Sequence, residues 1–162
     1  ARLSGTILNL HLENIHVSST QGRAAAITNL LSGGTLKNVE LSHSEITGFT
    51  DVGGIFSRSE AHPSLFNIRV RDSKINSSSK EGSAGLIGGQ AKNGIYFNIQ
   101  SENTQISSKK NATRFFGRKD SSVTVNASFA DCSQKNYVIP APKCHAGKKA
   151  PPHSSRSTSS KK

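Results

Sequence analysis

The densest run of chemically capable side chains is Arg69-Val70-Arg71-Asp72-Ser73-Lys74. Three cations beside one carboxylate suit an anionic ligand, and Arg69, Arg71 and Lys74 are candidate surface-binding residues. Enzymes that cleave polysaccharides use related sets, either paired carboxylates or a basic group beside an acid. Basic neighbours hold a carboxylate ionised, however, which suits Asp72 to an ion pair more than to proton donation. The six histidines (His11, His16, His43, His62, His145 and His153) are scattered, with no nucleophile setting around them. Gly33-Gly34 and Gly53-Gly54 read as turns and close backbone approach, not as a phosphate-binding loop. Cys132 and Cys144 lack the paired spacing that zinc sites use. No catalytic residue, metal ligand set or cofactor is assigned on these grounds.

Composition narrows the class of molecule. The 162 residues are only 33% hydrophobic and 6% aromatic, without Trp or Met. A conventional globular core would be thin, whereas stacked repeats need only a narrow buried stripe per unit. No run approaches the ~18 apolar residues of a membrane-spanning helix. No secretory signal is visible. Because residue 1 is Ala, a processed product or excised fragment is expected, with targeting information outside it. The formal charge of +11 is uneven. Residues 1–131 hold 14 Lys+Arg against 10 acids, and residues 132–162 hold 7 against none, giving +4 and +7.

The elements that must carry these side chains are repeats. Asparagines recur at Asn9, Asn38, Asn67, Asn98 and Asn126, at spacings of 29, 29, 31 and 28 residues. Each is followed by an apolar residue: Leu10, Val39, Ile68, Ile99 and Ala127. Counted from the asparagine, positions +1, +3, +6 and +8 are inward, while +2, +4, +5 and +7 are polar. Alternation on either side of one irregular step predicts two short strands joined by a bend. Helical spacing would need i, i+3, i+4, i+7, which the sequence does not keep. About ten residues later comes a second block: Ala25-Ala26-Ile27-Thr28, Gly53-Gly54-Ile55-Phe56, Ala84-Gly85-Leu86-Ile87 and Thr113-Arg114-Phe115-Phe116.

The expected fold is an all-β, right-handed parallel β-helix or solenoid of four to five rungs. Its copies lie near 4–32, 33–62, 63–93 and 94–120, with a partial one at 121–131. In parallel stacking Glu40 should meet Arg69, Glu45 should meet Lys74 and Arg71 should meet Glu102, an alternation that specifies register. The +5 column of Asn14, His43, Asp72, Asn103 and Asp131 falls at the bend, where Asn and Asp tolerate left-handed backbone. The five asparagines form a structural ladder of side-chain amides. No polar cap precedes Leu3, so further rungs or another domain are expected before residue 1.

The Gly53-Gly54-Ile55-Phe56-Ser57 and Ala84-Gly85-Leu86-Ile87-Gly88-Gly89 blocks, each following an Asn-centred strand, resemble the GLUG-type repeats of bacterial surface and secreted proteins. The resemblance covers residues 4–120. It implies a β-solenoid in an adhesin, a cell-surface protein or a large exported protein, and no conserved active site. The expected function is a non-catalytic structural or adhesive segment, secreted or on the cell surface. It would bind a host-surface protein or an anionic glycan, or space the domains before and after it in a longer chain. The alternatives are the solenoid part of an exported effector or toxin whose activity lies elsewhere, and a polysaccharide-active β-helix enzyme.

Residues 132–145 are expected to form a capping loop across the last rung, closed by Cys132–Cys144. Residues 146–162, rich in Lys, Ser and Pro, read as a disordered tail or linker. Lys148 and Lys149 there would hold acidic surfaces non-specifically and without selecting a nucleic-acid sequence, so such binding should weaken with salt. In the loop-entropy account the bridge contributes about 2–4 kcal/mol. Alkylation of the unreduced chain should therefore leave its mass unchanged, and modification of both thiols would contradict the bridge.

Overall fold

The computed structural model describes residues 1–113 and 115–129. Those residues form eighteen strands and no helix. The first turn comprises β1 (Arg2–Leu3), β2 (Thr6–Glu13), β3 (His16–Ser18), β4 (Ala24–Ala25) and β5 (Thr28–Ser32). The second holds β6 (Thr35–Ser42), β7 (Glu45–Gly48), β8 (Asp51–Gly53) and β9 (Phe56–Glu60). The third holds β10 (Ser64–Arg71), β11 (Lys74–Ser77), β12 (Ser83–Gly85) and β13 (Gly88–Ala91). The fourth holds β14 (Ile95–Glu102), β15 (Gln105–Ser108), β16 (Asn111–Thr113) and β17 (Phe116–Lys119), and β18 (Thr124–Phe129) opens a fifth.

Strands of successive turns pair in parallel into four sheets, ordered β2-β6-β10-β14-β18, β3-β7-β11-β15, β4-β8-β12-β16 and β1-β5-β9-β13-β17. The chain is a parallel β-solenoid of about four turns, all-β as its alternation predicts. Inward side chains form columns that close the core: Leu36 with Leu65, Val39 with Ile68 and Ile99, Leu41 with Val70, and Ile46 with Ile75. All of these are essentially inaccessible to solvent.

The long strands hold the irregular step. In β6 the inward residues Leu36 and Val39 are three apart, so Lys37 and Asn38 both face out. Asn38 absorbs the extra residue at φ 56°, and Asn9, Asn67 and Asn98 do the same at 55°, 55° and 54°. Non-glycine residues reach this region rarely, Asn most readily. Pairing skips these asparagines in each of the four turns, so their bulges stack without a change of register. The +5 residues Asn14, His43, Asp72 and Asn103 also lie at positive φ, at 56°, 49°, 49° and 42°. They make the bend between the long strand and the next.

The register corrects two sequence alignments. Asn126 pairs with Phe97, not Asn98. In the fifth turn Val125 directly precedes the asparagine, so alternation runs on without an extra residue. In the third turn Gly85, not Ala84, pairs with Gly53, which shifts the block to Gly85-Leu86-Ile87-Gly88. Gly88 therefore sits in the column of Phe56 and Phe116. A Cβ there would lie 2.2 Å from the Phe56 ring. That gap lets the rings of Phe56 and Phe116 approach to 6.3 Å across the intervening turn, with Tyr96 edge-on to Phe116 at 4.7 Å. The third and fourth sheets meet just as closely at Gly85, where a Cβ would stand 2.4 Å from the Gly88 carbonyl oxygen and 2.5 Å from the Gly117 nitrogen.

The closing corners are less economical. Gly33-Gly34 take left-handed conformations in the first turn, but Ala61 and His62 adopt φ 56° and 55° in the second. Gly85→Ala should cost about 3 kcal/mol or more, because backbone and not a movable side chain blocks the new methyl. Ala61→Gly should instead stabilise by about 1 kcal/mol by relieving left-handed strain. Urea denaturation followed by circular dichroism measures both, and opposite signs are expected.

Candidate functional site

The long sheet is the broadest surface, and its outward residues form columns fixed by the parallel register. One column runs Leu8, Lys37, Phe66 and Phe97. Beside it stand the left-handed asparagines. The next columns run His11, Glu40, Arg69, Gln100 and Glu13, Ser42, Arg71, Glu102.

The asparagines are joined side chain to side chain. Asn38 Nδ2 donates to Asn9 Oδ1 at 2.8 Å, Asn67 to Asn38 at 2.9 Å and Asn98 to Asn67 at 2.9 Å. Gln100 Nε2 adds a bond to Asn98 Oδ1. Every step has one polarity: each amide donates toward the first turn. The positive φ and the ladder act together, since the bulge aims the amides along the stack.

Arg69 and Arg71 lie on the same face of β10, and both are engaged across turns. Arg69 Nη2 donates to Glu102 Oε2 at 2.7 Å, and Arg71 Nε to Glu40 Oε1 at 2.5 Å. The sequence columns expected the opposite partners, Glu40 with Arg69 and Arg71 with Glu102. Residues two apart on one strand share a face, so these long side chains reach diagonally past the Cα-paired neighbour. The diagonal also sets Arg71 Nη1 3.4 Å from Asp72 Oδ2. Lys74 is the register partner of Glu45, whose carboxylate lies 3.8 Å from His16 Nδ1.

Asp72 occupies the bend column. It accepts from Asn103 Nδ2 at 2.8 Å and lies 3.7 Å from His43 Nε2, whose Nδ1 is 3.3 Å from Glu13. The Asn103 bond, with His43 and Arg71 nearby, holds the Asp72 carboxyl below the usual range despite some desolvation. The Arg71 hydrogen bond does the same for Glu40. Asp72, Ser73, Lys74, Asn103 and Gln105 line a shallow polar dent at this corner. It offers a carboxylate, an ammonium and two amides, while the Ser73 hydroxyl beneath is buried. No group of three or more metal-binding side chains occurs among the described residues. Cys132, Cys144, Lys148 and Lys149, with the capping loop, the tail and Asp131, lie outside the described residues.

Two polar devices went unread in the sequence. Ser44 and Ser73 sit buried at the first bend, where each hydroxyl donates to the carbonyl two residues earlier, Ser42 at 2.6 Å and Arg71 at 2.7 Å. Each also accepts an amide from the preceding turn, Ile15 at 3.0 Å and Ser44 at 3.1 Å. Thr104 repeats the donation to Glu102. Ser and Thr at an inward position were the available signal. Asp51, buried beside the glycine corner, accepts from Arg118 Nη2 at 2.7 Å and faces Arg23 Nε at 3.6 Å. Arg23 lies 28 residues before Asp51, about one repeat, so that half was legible. Arg118 comes from two turns further on and was not.

Comparison of the chain with family models, with curated proteins and with solved structures finds no match.

Asn67→Gly keeps the left-handed backbone and loses two ladder bonds, so it should cost about 1 kcal/mol. Asn67→Ala should cost about 1–2 kcal/mol more, because it adds the Cβ penalty. Equal losses in urea titration would separate the ladder from the bulge. Because Glu40 and Asp72 have depressed folded pKa values, the stability they contribute is present above their ordinary values of 4.5 and 3.8. It is lost as pH falls through the lower folded values. The urea midpoint should therefore fall below about pH 4.5, and less steeply in Glu40→Gln.

Proposed function

We propose that this chain is a non-catalytic structural and adhesive segment of a bacterial surface or secreted protein, a stiff parallel stack that spaces neighbouring domains and presents its outer columns. One observation carries this reading. Arg69, Arg71, Glu40, Glu102 and Asp72, the groups best suited to acid–base or anion chemistry, are tied to one another, Arg69–Glu102 and Arg71–Glu40 across turns and Arg71–Asp72 within one. A carboxylate held ionised by amide and guanidinium neighbours is a poor proton donor. The glycine blocks, which resemble GLUG-type repeats, support an extracytoplasmic setting. The alternative of a solenoid within a longer exported effector shares this geometry and differs only in what the chain is joined to.

The adhesive part of the reading rests on the dent at Asp72, Lys74, Asn103 and Gln105. Hydroxyl-rich ligands are held by alternating donors and acceptors of this kind. The full chain should bind members of an immobilised glycan array, and Lys74→Ala or Gln105→Ala should weaken that binding at least about tenfold with the urea midpoint unchanged. Absence of binding would leave the spacer alone. Turnover of an acidic polysaccharide, abolished by Asp72→Asn, would overturn the non-catalytic reading.

A further inference from the structure

The long sheet exposes apolar side chains that the fold does not need outside. Among the described residues four large hydrophobic side chains are exposed: Leu8 at 55%, Ile95 at 51%, Phe97 at 48% and Phe49 at 41%. Three of them stand on the long face: Leu8 and Phe97 in the column beside the asparagine ladder, and Ile95 in the next column out, with Thr6, Thr35 and Ser64. Phe66 lies half-buried between Lys37 and Phe97 in the same column. Clustered exposed hydrophobic groups of this kind mark interaction surfaces.

The order of residues within the columns indicates what covers them. Consider a two-fold axis along the strands, between the second and third turns. It sets the first turn of one copy against the fourth of another, and the second against the third, column on column. Leu8 then meets Phe97, and Thr6 meets Ile95. Lys37 meets the ring of Phe66, a cation facing an aromatic face. Glu40 meets Arg69, His11 meets Gln100, and Asn38 meets Asn67. One pairing is unfavourable, Glu13 with Glu102. Glu102 carries its own counter-charge within the chain, Arg69 at 2.7 Å, and Glu13 lies 3.3 Å from His43 Nδ1. Apart from Glu13 with Glu102, the four strands β2, β6, β10 and β14 are therefore complementary to themselves in reverse order, with β18 lying beyond the paired rows.

We propose that two copies of the chain pack long face to long face about this axis. The size is adequate. Eight residues at ~3.3 Å along the strand and four turns at ~4.8 Å give about 500 Å² per copy. The total of about 1,000 Å² reaches the lower bound for a specific interface. Strands would run in one direction across the contact, within the ~30° alignment usual for packed sheets about 10 Å apart.

Sedimentation equilibrium of the full chain over a concentration series tests this. The wild type should reach twice the chain mass at ~100 µM. Phe97→Asp and Lys37→Glu, both at exposed positions, should each weaken association at least about tenfold, with the circular dichroism unchanged. Ser18→Asp, on the neighbouring sheet, should leave it intact. A wild type that stays monomeric, including one whose long face instead takes up a neutral polysaccharide, overturns the proposal. So does a dimer that survives both long-face substitutions.

Discussion

An asparagine in the left-handed region interrupts each long strand at the same place in four successive turns. The interruption lets inward residues three apart, such as Leu36 and Val39, both reach the core. It also turns the amide side chains along the stack, where they bond one to the next. A slip of pairing by one residue on such a strand would carry its side chains to the other face. The fifth turn omits the extra residue: Asn126 pairs with Phe97 and Ala127 with Ile99, so Asn98 is passed over in the register.

The rest of the cross-section accommodates that repeat. Four sheets close the turn only if the third and fourth approach to backbone contact, and glycine at Gly85 and Gly117 allows it. Where glycine in one turn leaves space, aromatic rings from the turns on either side occupy it, as Phe56 and Phe116 do around Gly88. Polar groups that the bends bury are satisfied one turn away, through the Ser44 and Ser73 hydroxyls. The buried Asp51 is held from both directions along the stack. The surface carboxylates of Glu40, Asp72, Glu81 and Glu102 are each engaged by a side chain of a neighbouring turn.

Legibility from sequence followed locality. The repeat, the strands, the bends and the parallel register came from the asparagine spacing and the two-residue alternation, because both are one-dimensional signals. The diagonal ion pairs of Arg69 and Arg71 did not, since column arithmetic ignores the reach of long side chains. The one-residue error in the third glycine block arose because Ile87 resembles Phe56 in hydropathy, while the packing needs Gly88 there. The place of Asn126 was written in Val125, whose position removes the extra residue, but composition around the asparagine concealed it. The polar dent joins side chains from two turns at a bend and has no contiguous motif.

A single experiment addresses the parallel stacking of the turns, with the asparagines of the first four in one unbroken row. Nuclear Overhauser spectra of the isotopically labelled full chain report this without any substitution. Contacts are expected between the side-chain amides of Asn9 and Asn38, Asn38 and Asn67, and Asn67 and Asn98. Amide contacts displaced by one residue along any of these strands, or an absence of contacts between successive asparagines, would contradict it.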